Sequence, residues 1–244
     1  MNLVRSDFGV AVQTSSGLLP IRSIIGIGRN YAEHAKEQAA EVPTRPMVFT
    51  KSFASASLDG DEIVIPKVCQ DPAFGGAQTD FEAELCVIIG SGPVGKACRD
   101  VAAAEALKFV LGYCCGNDVS ARWWQKEGSK GQFCRGKSFD TFCPMGPRLI
   151  PGAEIADPQN LRVRCRVNGE TMQDGNTRDM IFPVAGLIAD LSRGATLVPG
   201  TAIMTGTPSG VGMARKPPVW LKHGDVVEVE IERVGVIRNK VRAE

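Results

Sequence analysis

The sequence predicts a mixed, mainly β fold with a few peripheral helices. Short runs rich in β-branched residues recur along the chain, bounded by Gly, Pro and Asn. Only three segments carry helical character. The regular strand–helix alternation of Rossmann and barrel folds is missing. At 244 residues the chain is long enough for one large domain with a substantial core.

The elements follow in order. Residues 1–28 read as short strands ending in Ile24-Ile25-Gly26-Ile27-Gly28. Asn30 is placed to cap a helix through Tyr31–Gln38, which is made of good helix formers. Pro43 and Pro46 close it before a strand at Met47–Thr50. Leu58–Pro66 gives a turn and a β-branched strand, and a Gly/Pro-containing loop runs from Asp71 to Thr79. Val101–Val110 is an Ala-rich helix with Val101, Ala104 and Leu107 on one side. A strand at Leu111–Val119 breaks at Gly116-Asn117-Asp118, and Gln125–Gly136 reads as a surface loop. Asn168-Gly169 suits a type I′ turn between strands at 161–167 and 170–173. Pro183–Ser192 is a helix, Thr201–Thr205 a strand, and Gly224–Val241 a final strand pair.

One stretch stands out: Asp80-Phe81-Glu82-Ala83-Glu84, followed by Leu85-Cys86-Val87-Ile88-Ile89. Strand side chains alternate faces, so Glu82 and Glu84 share one side. Two carboxylates that close among apolar neighbours need a proton or a cation between them. The alternative is a solvated edge-strand pair that deters aggregation.

Charge and cysteine content narrow the class. The formal net charge is +1 and no Lys/Arg run exceeds two residues, which argues against nucleic acid or an anionic membrane as partner. The eight cysteines form no C-x-x-C pair and read as reduced, mostly buried thiols rather than a zinc site. The N-terminal residues show neither a secretory h-region nor an Arg/Ser-rich transit pattern, so the expected compartment is the cytoplasm, or the mitochondrial matrix if a presequence has been removed. Gly26-Ile27-Gly28 is not a dinucleotide fingerprint, since Tyr31 stands where its third glycine belongs. No G-x-S-x-G nucleophile elbow is present.

Five blocks in fixed order carry a resemblance: Gly28-Arg29-Asn30-Tyr31-Ala32-Glu33-His34, Asp80–Glu84, Asn117-Asp118-Val119-Ser120-Ala121-Arg122, Arg135–Phe142 and Thr205-Gly206-Thr207-Pro208. Together they resemble the fumarylacetoacetate hydrolase family over nearly the whole chain. Arg215–Lys222 and Gly235–Val241 narrow the likeness to its domain-containing protein 2 group. The long N-terminal domain of the founding fumarylacetoacetases has no counterpart in these residues. The resemblance implies a β-roll or sandwich, with a strand segment over 1–23 and a catalytic domain over 24–244. It also implies a homodimer and Mg²⁺ or Mn²⁺ held by Glu82, Glu84 and Asp118, an all-oxygen set that suits a hard cation.

The same resemblance assigns the remaining site residues. His34 and Glu37, three apart on the expected helix, match a dyad that activates or positions water. Glu33 points about a quarter turn away. Lys137 matches a cation that opposes enolate charge. Arg122 and Gln125 match residues that reach the substrate's carboxylate or carbonyl. Thr207 matches a carboxylate-binding position, and Gly206 lets the backbone approach closely. The expected activity acts on a small 2-oxo acid through an enolate, with oxaloacetate keto–enol tautomerisation leading. Acylpyruvate or fumarylpyruvate C–C hydrolysis and oxaloacetate decarboxylation share the same intermediate.

Overall fold

A computed structural model describes residues 1–7 and 9–244. Its frame is one large sheet packed against a smaller one. The large sheet runs in the spatial order Gly17–Pro20, Gly9–Thr14, Asn2–Ser6, Cys143–Pro151, Val110–Asn117, Ala83–Ile89, Thr201–Met204, Ser23–Gly28 and Met47–Lys51, with Ala56–Leu58 paired in parallel to Cys143–Pro151. The smaller sheet has the order Glu170–Asn176, Arg162–Val167, Val226–Ile231, Gly235–Ala243 and Ile63–Ile65. A two-stranded pair, Thr79–Asp80 with Ser120–Ala121, sits beside the site.

The Ala83–Ile89 strand explains its own continuous apolar sequence. Leu85, Val87 and Ile89 face a core shared with Val163, Cys165, Val229 and Ile237 of the smaller sheet. Cys86 and Ile88 face the opposite way, against Leu3, Val10, Val12 and Met145. A strand buried on both faces loses the polar alternation of a half-exposed one. Each such side chain contributes about 1.5–3 kcal/mol by leaving water.

The first three strands join the large sheet where Asn2 pairs with Arg148. The Asn168-Gly169 hairpin forms as expected, with both residues in the left-handed region. Helices are shorter than the sequence suggests. The first spans Ala32–Glu37, and its N-cap position is Tyr31, which makes no side-chain capping bond, not Asn30. Asn30 instead donates to the Phe182 and Thr205 carbonyls and accepts from the Phe182 N–H, tying the helix entrance to two distant segments. The expected Val101–Val110 helix is one α turn at Ala103–Ala106 continued as a 3₁₀ turn, because Phe109 enters the core and Val110 begins a strand. Within the expected 125–136 loop, Cys134–Lys137 forms a helical turn. Arg122–Gln125 forms a further helical turn, and Val184–Leu191 is the last helix. No helix among the described residues is long and apolar enough to cross a membrane.

Register decides where the site lies. Asn117 pairs with Ala83, Met204 with Cys86 and also with Gly26, so four neighbouring strands end together. Glu82, Asp118, Thr205–Thr207 and Arg29 all emerge from these ends.

Candidate active site

Glu82, Glu84 and Asp118 are buried, and each offers a ligand oxygen within 4.8 Å of the others. Strand alternation alone does not produce this. The regular strand begins at Ala83, so Glu82 lies just outside it, held by its N–H to the Asn117 side chain and by the Asp118 N–H to its carbonyl. Glu84 is fixed by the Gly206 N–H, which donates to Oε2 at 2.8 Å. Gly206 has φ +97°, and a Cβ there would meet the Asn30 Cβ at 2.6 Å, so a larger residue could not bring its N–H to Glu84 without displacement.

Lys137 lies among these acids. Its Nζ donates to Glu82 Oε2 at 2.6 Å and Asp118 Oδ2 at 2.5 Å, above the Phe49 ring. Gly136 makes this possible, since a Cβ there would lie 2.4 Å from the Gln125 backbone nitrogen. Lys51 is also fully buried and donates to Asp118 Oδ1 at 2.6 Å. Sequence reasoning missed it: a lysine at the end of an exposed-looking strand gives no local signal.

Arg122 is nearly inaccessible and its fork is engaged. Nε and NH2 meet Asp80, NH2 meets Glu82 Oε1 at 2.7 Å, and NH1 donates to Gln125 Oε1 at 2.9 Å. Asp80 was likewise missed, although it shares the two-residue spacing of Glu82 and Glu84. Its carboxylate also accepts from the N–H groups of Gly212 and Met213.

His34 Nδ1 lies 2.6 Å from Glu37 Oε1, and Glu37 Oε2 accepts from the Gly210 N–H at 2.8 Å. On the other side of the ring, Nε2 lies 2.7 Å from Gln38 Nε2. Glu33 pairs with Lys36 on the exposed face, away from this chain of contacts. Thr207 Oγ1 donates to the Ala83 carbonyl and accepts from Gln173 Nε2, which places a third missed residue, Gln173, behind it. His34, Glu82, Glu84, Gln125, Lys137 and Thr207 all line one small cavity, with Arg122 at its side. Glu37 and Gly206 stand behind that lining.

The electrostatics of the carboxylates diverge. Burial opposes ionisation of Glu82, but Lys137 and Arg122 outweigh it and hold its carboxyl well below the usual range. Burial, then Asp118, then Glu82, push the Glu84 carboxyl well above that range. Burial alone would discharge Lys137, yet Asp118 and Glu82 outweigh it and raise its pKa. Three converging buried carboxylates, one of them disfavoured as an anion by the others, fit a hard divalent cation.

The comparisons with known proteins agree with this geometry. The fumarylacetoacetate (FAA) hydrolase C-terminal family matches residues 23–242. The chain belongs to the fumarylacetoacetate hydrolase family. It is 46% identical over 218 residues to the human oxaloacetate tautomerase FAHD2A, mitochondrial, a match covering 89% of this chain and 66% of that protein. The chain thus spans about two thirds of the length of that relative. Among solved structures, a fumarylacetoacetate hydrolase from psychrophilic Exiguobacterium antarcticum superposes with TM-score 0.79 at 39% identity, covering 99% of this chain and 80% of that one. Fumarylpyruvate hydrolase from Pseudomonas aeruginosa, in complex with Mn²⁺ and pyruvate, superposes with TM-score 0.82 at 27% identity, covering 100% of both chains.

These matches confirm the mainly β family fold and correct one expectation. The human, rat and bovine relatives are named as mitochondrial proteins, which overturns the cytoplasmic assignment. Balanced charge and reduced thiols suit any reducing compartment, so they could not distinguish one from another.

Proposed function

We propose that this family member is an oxaloacetate keto–enol tautomerase dependent on Mg²⁺ or Mn²⁺, with 24–244 as its catalytic unit and a homodimer as its working form. The observation that carries the reading is the convergence of Glu82, Glu84 and Asp118 in one buried cluster, with Lys137 bonded to two of them. The 46% identity to a protein named for this activity supports the choice of substrate.

Glu82, Glu84 and Asp118 would hold the cation. When bound, it supplies Lewis-acid polarisation of a 2-oxo acid's carbonyl. The chain's own residues do the rest. Lys137 Nζ faces the same carboxylates, so its charge opposes the negative charge that builds on the C2 oxygen as the C3 proton leaves. His34 Nε2 faces Gln38 at the cavity and is the proton acceptor, while Glu37 fixes the ring through Nδ1. In the keto-to-enol direction the C3–H bond breaks and its proton passes to His34 Nε2, the C2 oxygen takes a proton from solvent and His34 gives its own back to solvent, so no atom is gained or lost. The reverse direction returns the proton to C3. Thr207 and Gln125 line the cavity as the substrate's polar contacts.

One observation favours a second reading, C–C hydrolysis of an acylpyruvate. The Gly210–Glu37–His34 chain is a built dyad of the kind that activates water, and a fumarylpyruvate hydrolase shares the fold. Time-resolved NMR of oxaloacetate with purified protein and Mg²⁺, against an EDTA control, separates the cases. Accelerated enol–keto exchange without pyruvate supports the tautomerase. Metal-dependent pyruvate formation would make it a decarboxylase. If neither appears and an acylpyruvate is cleaved, hydrolysis takes its place.

A further inference from the structure

Arg122 and Arg29 both line the cavity, but they are in opposite states. Arg122 is fully committed to Asp80, Glu82 and Gln125. Arg29 has no ion-pair or hydrogen-bond partner among the described residues, and its Nε is buried without one. A guanidinium half withdrawn from water and left unpaired is costly unless something fills its fork.

Its placement is specific. Arg29 has φ +54°, a left-handed conformation unfavourable for a residue with a Cβ, at the turn between the Ser23–Gly28 strand and the first helix. From there it lines both the inner cavity and a larger outer vestibule, where Gln38, Phe49, Gln125 and Phe133 are also shared. Phe49 and Phe133 pack at 5.5 Å between ring centroids and form an apolar wall beside it. Gln125 gives its Oε1 to Arg122, so its amide N–H₂ is the part left for the cavity.

Formal charge points the same way. Four buried acids, Asp80, Glu82, Glu84 and Asp118, face three buried bases, Lys51, Arg122 and Lys137. A divalent cation turns that single negative excess into a single positive charge. A monocarboxylate then balances the inner cavity, whereas a dicarboxylate brings one more negative charge, which Arg29 at the mouth would neutralise.

We infer that Arg29 receives the distal carboxylate of the substrate and selects 2-oxo dicarboxylic acids over 2-oxo monocarboxylic acids. This rests on the reading of the cavity as a 2-oxo acid site. The planar fork suits bidentate carboxylate recognition, and the surrounding aromatic wall strengthens it by excluding water.

The test compares wild type with Arg29→Asn, which tolerates the left-handed backbone, and Arg29→Lys, which keeps the charge without the fork. Calorimetry with Mg²⁺ would measure oxaloacetate against pyruvate, and the tautomerase assay would give KM and kcat. Arg29→Asn is expected to weaken oxaloacetate binding and raise its KM by about 10–100-fold, with pyruvate affinity and kcat within about threefold of wild type. Arg29→Lys should fall between. Unchanged oxaloacetate affinity in Arg29→Asn, or equal weakening of pyruvate, overturns the inference. Failure of the tautomerase reading looks different: wild type leaves enol–keto exchange unaltered, and the binding comparison still decides the role of Arg29.

Discussion

His34 Nδ1 and Glu37 Oε1 lie 2.6 Å apart across one helical turn, and the Gly210 N–H anchors the far oxygen of Glu37. The carboxylate therefore fixes both the ring's orientation and the nitrogen that carries its proton. Glu37→Gln keeps the shape but removes the charge and one of the two acceptor oxygens, so His34 and the Gly210 N–H can no longer both be accepted. The expected result is a fall in kcat of about 10²-fold or more with little change in KM. A variant with full kcat would remove the dyad from the mechanism.

Lys51 makes a prediction about stability rather than chemistry. It neutralises one side of Asp118 in a site closed to water. Lys51→Met leaves a buried charge short of a partner, a loss of about 3–5 kcal/mol. Thermal unfolding without metal should drop by roughly 10 °C for a chain of this size. Saturating Mg²⁺ should recover more of the melting temperature in the variant than it adds to wild type. Equal metal stabilisation of both proteins would contradict the proposed coupling.

Gly206→Ala tests the backbone cradle of Glu84. The left-handed φ and the 2.6 Å approach to Asn30 leave no room for a methyl group. A destabilisation above about 1 kcal/mol is expected, together with weaker Mg²⁺ binding by calorimetry. Unchanged stability and unchanged metal affinity would show that the turn can relax.

The thiols set an alkaline limit. Burial pushes Cys69 up to about 12 from 9.0, and burial, opposed in part by Lys51, does the same to Cys143. In the unfolded chain these thiols ionise first, so their stabilising contribution is complete below pH 9 and disappears as pH rises towards 12. Denaturant midpoints should fall across that window. At neutral pH a small alkylating reagent should modify Cys134 first, because it is the one half-buried cysteine and the other seven are buried.

The sequence disclosed features that were local or chemically incongruous. Two acids two residues apart in an apolar run marked Glu82 and Glu84, and Asn168-Gly169 marked its hairpin. The remaining site was hidden because its contacts span long separations. Lys51 meets Asp118 across 67 residues, Asp80 meets Arg122 across 42, and Gln173 reaches the Ala83 N–H across 90. No local pattern encodes such pairs, which depend on strand register. Arg122 illustrates the limit: the resemblance matches it to a substrate-contacting residue, and its contacts with Asp80, Glu82 and Gln125 emerge only in the fold.

The Mg²⁺-dependent tautomerisation rate of Glu82→Ala, followed through loss of enol absorbance at saturating Mg²⁺, tests the central claim most directly. Removing one of three carboxylates from an all-oxygen site should lower the rate by at least about 10³-fold while the protein remains folded by circular dichroism. A variant that tautomerises oxaloacetate at the wild-type rate would contradict the assignment of Glu82, Glu84 and Asp118 as the metal-holding centre.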